Sequence, residues 1–236
     1  MSLLPTRLDI WFVTVLTGFL GKFRLFDMGV QSASNHHLLG GFWYALAVYL
    51  LWMRGTAQSD EKMRLRILTT MAGSLVAVLL IFPAGAIIDW APPILNPVFR
   101  PLYPPYIYSL SDANSFPSRG AALYAAVAAG VFSLDRVKGW LLWGGIIFLI
   151  GLPRIYVGGH YPTDILAGTA LGVLGYACAR YLMEARLLVR FSLATKRIPW
   201  LDSLLEITFF VWILQVATEF RDVLWIRNIL AYFVRW

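Results

Sequence analysis

The sequence predicts an all-α membrane protein, a polytopic helical bundle of about six transmembrane helices. Residues are 59% hydrophobic and only 14% charged, against about 25% charge in an ordinary soluble domain. The mean hydropathy is +0.66, which makes a bilayer the natural solvent. The apolar runs are too long and continuous for strands, and they lack the alternation that a membrane barrel requires.

A spanning helix needs about 20 mostly apolar residues. Residues 67–88 form an uninterrupted charge-free run. Residues 28–53 form another, predicted to be helical from about His37 onward, after the polar stretch Gln31-Ser32-Ala33-Ser34-Asn35. Runs at 120–134, 139–153 and 165–179 are shorter but free of charge, and those at 10–21 and 207–218 are the weakest candidates. Gly and Ala are dense in 120–130 and in 167–179, which lets helix backbones approach closely, so these two helices are predicted to be central. Beyond Arg197, apolar stretches alternate with Asp202, Glu206, Glu219, Arg221, Asp222, Arg227 and Arg235. That pattern suits one short membrane helix followed by an amphipathic interfacial helix. The expected organisation is a membrane domain over 1–200, with a C-terminal membrane or interfacial segment over 201–236.

The net charge of +7 does not point to nucleic acid, because Lys and Arg fall in short clusters between apolar runs rather than along one face. They read as topology signals. The basic connections at 54–66, 135–138 and 180–197 are cytoplasmic by the positive-inside rule, which puts the connections at 89–119 and 153–164 together on the outer side. Ten Trp among the aromatic residues suit helix ends set among membrane lipids. Cys178 is the single cysteine, so neither an intrachain disulfide nor a thiol metal site is expected. The N-terminus shows no cleavable signal peptide pattern. Prolines from Pro92-Pro93 to Pro104-Pro105 forbid a continuous helix there and predict an ordered, partly extended loop.

The two outer loops carry the chemistry. Arg100, Arg119 and Arg154 offer forked donors that match phosphate oxygens. Ser118, Arg119 and Gly120 stand where a helix begins, and its first amides lack intrahelical partners, which suits an anion. His160 can attack phosphorus through one ring nitrogen, while Asp164 can accept from the other. Pro162 leaves His160 in the loop just before a helix whose first turn holds Asp164, where the helix dipole also favours a carboxylate.

The segment Arg154-Ile-Tyr-Val-Gly-Gly-His160-Tyr-Pro-Thr-Asp164 resembles the third motif of the type 2 phosphatidic acid phosphatase family, Ser-Arg, five residues, His, three residues, Asp. Phe116-Pro117-Ser118-Arg119-Gly120 resembles the second motif, Pro-Ser-Gly-His, and Arg100-Pro101 the end of the first. The resemblance covers about residues 37–183. It implies a six-helix membrane bundle, no metal or other cofactor, and hydrolysis or transfer of phosphate on a phospholipid or polyprenyl-phosphate substrate. By the same resemblance His160 is the nucleophile that forms a phosphohistidine and Asp164 orients it, while Arg100, Arg154 and Ser118 hold the phosphate. The implied setting is a bacterial inner (cytoplasmic) membrane with the active site on the outer, periplasmic side. No protein partner is indicated.

Three positions depart from the motifs. The first-motif Lys falls at Pro93, the third-motif Ser at Pro153, and the second-motif His, which protonates the leaving oxygen, at Gly120. Arg119 restores a positive charge but stays protonated and is a poor general acid. His36 and His37 are candidate replacement acids on the outer side, and Asp112 is a weaker one. A phosphate leaving group needs less help than an alkoxide, which favours a diphosphate lipid of the undecaprenyl kind. The alternative is a relative that binds a lipid-linked phosphate as a carrier, transporter or assembly subunit. It keeps the phosphate cradle and lacks the acid.

Overall fold

The computed structural model describes residues 5–57, 60–88, 90–108, 114–184 and 199–220. Among the described residues there are eight helices and no strand. They are α1 (Arg7–Thr17), α2 (Arg24–Asn35), α3 (His37–Ala57), α4 (Glu61–Ile87), α5 (Arg119–Leu134), α6 (Arg136–Tyr156), α7 (Pro162–Glu184) and α8 (Pro199–Ala217). A π-helical stretch, Ile146–Gly151, lies inside α6. Four helices are long and apolar enough to cross a membrane: α4, α6, α7 and α8. The helix α5 is apolar too, but shorter, at 16 residues.

Local chemistry sets several of the boundaries. Thr6 caps α1 in a reciprocal box with Asp9. Asp60, Ser118 and Asp135 cap α4, α5 and α6, each side chain accepting from a backbone amide three residues on and so satisfying an orphan donor. Pro162 opens α7, where its missing N–H costs nothing.

The centre of the bundle is the packing of α4, α5 and α7. In α5 every residue from Ala121 to Ala128 is fully buried. Glycines make this approach possible. A Cβ at Gly168 or Gly172 of α7 would stand 2.3 Å from the Ser118 carbonyl or 2.2 Å from the Ala122 carbonyl of α5. On α4, Gly73 packs against the Tyr176 backbone, and Gly130 of α5 packs against Thr70. The central placing of α5 and α7 expected from their Gly and Ala content is what the structure has. Outward-facing Leu79, Phe148, Leu166 and Phe210 are exposed, an apolar exterior suited to lipid rather than water.

α8 runs beside α3 and α4. Trp52 stacks on Phe209 with ring centroids 4.3 Å apart, and Trp212 Nε1 donates to Ser74 Oγ at 2.9 Å. Arg64 pairs with Asp202 at 2.8 Å. Three basic residues come together at one end, where Arg66, Arg136 and Arg180 line a single cleft of about 530 Å³.

Two local expectations change. The polar stretch 31–35 is helical and forms the end of α2, because its side chains find partners in another loop. Gln31 Oε1 accepts from the Tyr108 amide, and Asn35 Nδ2 donates to the Tyr108 carbonyl. The C-terminal helix, among the weakest spanning candidates in the sequence, is one of the four that meet the length and apolarity needed. The interfacial helix expected after it falls mostly on 221–236, outside the described residues.

Candidate active site

Two loops meet at the end of the bundle away from the Arg66 cleft. The first, residues 114–118, is fastened to the end of α4. Asn114 Nδ2 donates to the carbonyls of Gly85 (2.8 Å) and Ile88 (2.9 Å), while its Oδ1 accepts from the amides of Trp90 and Phe116. The Ser115 amide donates to the Trp90 carbonyl at 2.7 Å. This side-chain and backbone lattice turns the Ser115 carbonyl toward the second loop. It also delivers Ser118, fully buried, to the start of α5.

The second loop, residues 157–161, follows α6. Gly158 has φ +75, a left-handed conformation that glycine adopts without strain. A Cβ there would stand within 3 Å of both Tyr103 and Ile94, so the proline-rich loop packs directly over this turn. The amides of Gly159 and His160 donate to the Arg154 carbonyl at 2.8 and 3.3 Å, which couples the end of α6 to the histidine. Burial pushes the phenols of Tyr103 and Tyr161 up, so both are neutral hydroxyls.

His160 and Asp164 are neighbours, but the hydrogen bond expected between them is not formed. His160 Nδ1 stands 3.6 Å from Asp164 Oδ2 and 2.9 Å from the Ser115 carbonyl. Asp164 Oδ2 is engaged by the Tyr161 amide at 2.8 Å, a contact fixed by the turn that starts α7. A carbonyl oxygen only accepts, so Nδ1 carries the proton and, in a neutral ring, Nε2 carries the lone pair. The Ser118 amide closes the arrangement by donating to the Asp164 carbonyl at 3.0 Å.

Arg154 also lies in this cluster, facing a residue that sequence reasoning did not select. Arg154 Nη2 is 2.6 Å from both carboxylate oxygens of Glu219, and the two side chains are 12% and 2% exposed. Glu219 lies just past α8, and it and Phe220 both have φ +56. Left-handed backbone at such residues costs about 1–3 kcal/mol each. The carboxylate fills the space in front of Gly120, where a Cβ would stand 2.8 Å from Glu219 Oε1 and 2.9 Å from Arg154 Nη1. The sequence signal available for Glu219 was an ionisable residue next to an apolar helix, a placement that is costly in a membrane unless partnered.

The remaining candidates differ in their placing. Arg119 opens α5 beside Ser118. Arg100 is exposed, and its Nη1 donates to the Tyr103 carbonyl at 3.2 Å. Among the described residues no hydrogen bond joins Arg100 to the cluster, because the short 3-10 turn Arg100–Leu102 directs it back onto its own loop. His36 is exposed at the junction of α2 and α3. The His37 side chain and Asp112 lie outside the described residues. No group of three His, Cys, Asp or Glu side chains among the described residues is arranged to hold a metal ion.

Two buried carboxylates that the sequence did not single out support the site from the N-terminal helices. Asp9 of α1 accepts from the Thr163 amide and hydroxyl, each at 3.0 Å, as well as from Thr6, and so caps the start of α7. Asp27 of α2 accepts from Tyr106, Tyr156 and the Gly21 amide. Burial pushes the Asp27 carboxyl up, but these three hydrogen bonds outweigh it and hold the group below its usual value.

Residues 87–187 match the profile of the PAP2 superfamily. Over 61 residues the chain is 43% identical to the bacitracin transport permease protein BcrC of Bacillus licheniformis, covering 26% of this chain and 30% of that protein. It is 28% identical over 137 residues to the undecaprenyl-diphosphatase BcrC of Bacillus subtilis (strain 168), covering 56% and 63%. It is 34% identical over 86 residues to the phosphatidylglycerophosphatase B of the same strain, covering 32% and 41%. In each case the chain spans less than two thirds of the relative's length. No solved structure matches the chain.

Proposed function

We propose that this chain, which carries a PAP2 superfamily domain over residues 87–187, is a membrane-integral lipid-phosphate phosphatase or phosphotransferase acting on a polyprenyl (di)phosphate-type lipid through a phosphohistidine at His160. The observation that carries the reading is the tautomer that the fold imposes. With Nδ1 held by the Ser115 carbonyl at 2.9 Å, Nε2 is the nucleophilic nitrogen. The Asp164 carboxylate, 3.6 Å from the ring, stabilises the positive charge that develops on attack. Ser118 Oγ accepts from the Ala121 amide at 3.4 Å, so its hydroxyl proton is left to donate to a phosphate oxygen. Arg154 and the N-terminal amides of α5 supply the complementary charge.

The relatives' names, an undecaprenyl-diphosphatase and a phosphatidylglycerophosphatase, support a lipid-borne phosphate. A diphosphate is preferred because its leaving group needs the least assistance and position 120 offers no side chain. Six helices, α3 to α8, cross the membrane in this reading. The basic end lies in the cytoplasm and His160 on the outer side of a bacterial inner membrane. Arg100 joins the phosphate only if its loop turns inward on binding. A second reading, a lipid-phosphate binder without turnover, is favoured by Gly120 and by the Glu219 carboxylate already on Arg154.

The test compares purified protein and His160→Ala for phosphate release from polyprenyl diphosphate and from phosphatidic acid, with trapping of phosphorylated enzyme. Turnover that His160→Ala abolishes, with label on His160, supports the enzyme. Equal rates in the two proteins, or no release from either lipid, remove it for those substrates. Binding of polyprenyl diphosphate without release favours the second reading.

A further inference from the structure

We infer that Glu219 is the proton donor to the leaving oxygen, supplied from beyond α8 in place of a side chain at position 120; this rests on the phosphohistidine reading above. The contacts form a closed ring. Glu219 meets Arg154 at 2.6 Å, the Arg154 carbonyl accepts from the His160 amide, and the Ser118 amide donates to the Asp164 carbonyl. Two residues after Ser118, Gly120 faces the Glu219 carboxylate again. That carboxylate therefore occupies the volume that any side chain at position 120 would enter. A Cβ at 120 would meet it at 2.8 Å, so the glycine and the glutamate are one arrangement rather than two separate departures.

The chemistry needed at this point is a group that alternates between acid and base, which a carboxyl can do and a guanidinium cannot. In the free protein Glu219 neutralises Arg154. Tyr124 also faces it, and the Tyr124 hydroxyl donates to the Val216 carbonyl at 3.2 Å. When a substrate phosphate takes Arg154, two anions face each other in a buried site, which favours proton uptake by one of them. Protonated Glu219 then serves the first step. His160 Nε2 forms a bond to phosphorus, the bond from phosphorus to the leaving oxygen breaks, and the Glu219 proton passes to that oxygen. In the second step the Glu219 carboxylate removes a proton from the attacking water. The water oxygen forms a bond to phosphorus as the N–P bond breaks with its electron pair returning to Nε2, and inorganic phosphate departs.

Polyprenyl diphosphate and polyprenyl monophosphate carry the same lipid and differ in the leaving group, a phosphate against an alkoxide. With a donor in the site the wild-type protein should release phosphate from both. Glu219→Gln should lower kcat by about 10²- to 10⁴-fold on the monophosphate and by much less on the diphosphate. Glu219→Asp, which keeps the carboxyl, should retain more monophosphate turnover than Glu219→Gln. Should Glu219→Gln fail to fold, Glu219→Asp decides alone, with a greater loss expected on the monophosphate and an equal loss on both overturning the proposal. Wild-type turnover of the diphosphate alone overturns it, as does equal loss on both lipids in Glu219→Gln. Unchanged kcat with tighter inhibition by inorganic phosphate would make Glu219 a displaceable counter-ion only. A wild type that releases phosphate from neither lipid removes the phosphohistidine reading and this one with it.

Discussion

Gly168→Ala tests a close approach of α7 to α5, the seam on which both loops of the site depend. A Cβ at Gly168 would stand 2.3 Å from the Ser118 carbonyl oxygen and 3.2 Å from Ala121 Cβ. The first distance falls about 1 Å short of ordinary contact, and the obstacle is backbone, so α7 must move away from α5 rather than rearrange a side chain. Overpacking of this kind costs about 1–3 kcal/mol, or roughly 5- to 150-fold in the unfolding equilibrium. The same movement separates the Ser118 amide from the Asp164 carbonyl, now 3.0 Å apart, one turn from Gly168. A 1 Å misplacement near reacting groups costs roughly 10²-fold in rate, so activity should fall further than stability. Gly144→Ala is the matched control, because a Cβ there meets nothing within 4 Å. It exchanges a glycine for the best helix former, a gain of about 1 kcal/mol at most. The assay is thermal unfolding of both variants in one detergent, with kcat on polyprenyl diphosphate. Equal melting temperatures for the two would refute the packing argument, and full activity in Gly168→Ala would refute its link to the site.

Two further predictions concern the buried carboxylates. Asp9→Ala leaves the Thr163 and Thr6 donors without their acceptor. It should cost about 1–3 kcal/mol in unfolding and should raise hydrogen exchange at the start of α7, whereas a melt unchanged from wild type would show that α1 does not support α7. Asp27 contributes to acid stability. A carboxyl held low in the folded state adds stability above its unfolded value of 3.8, and this is lost as pH falls from about 4 through the folded value. Asp27→Asn should therefore flatten the acid limb of a stability-versus-pH curve and leave its shape at neutral pH unaltered. An acid limb identical to wild type would remove Asp27 from that role.

The parts of this structure that are legible in the sequence are those set by neighbours along the chain. Ser118 before an apolar run and Pro162 ahead of Thr163 and Asp164 mark the starts of α5 and α7, and the small residues of those helices mark the central seam. Contacts set by tertiary approach are less visible. Nothing near His160 in the sequence selects Ser115 as its partner, because the contact is to a backbone carbonyl 45 residues away. Asp9 looks like an ordinary helix-start carboxylate and performs that role for α1, yet it also caps α7, 154 residues on. The polar stretch 31–35 reads as loop because the Tyr108 backbone that satisfies Gln31 and Asn35 lies in a distant segment. Arg100 shows the converse, since a motif-like spacing places it in the right loop while the local turn directs it to Tyr103.

The pairing of Arg154 with Glu219 also orders events during synthesis. The two are separated by 65 residues, so at about 5–20 residues per second a ribosome takes roughly 3–13 s to pass from one to the other. α6 and α7 are therefore made before the carboxylate that their arginine will face, and the site is completed only after α8 has been delivered. A nascent chain halted between α7 and α8 should already hold the histidine loop and the start of α5, yet be unable to assemble a finished centre.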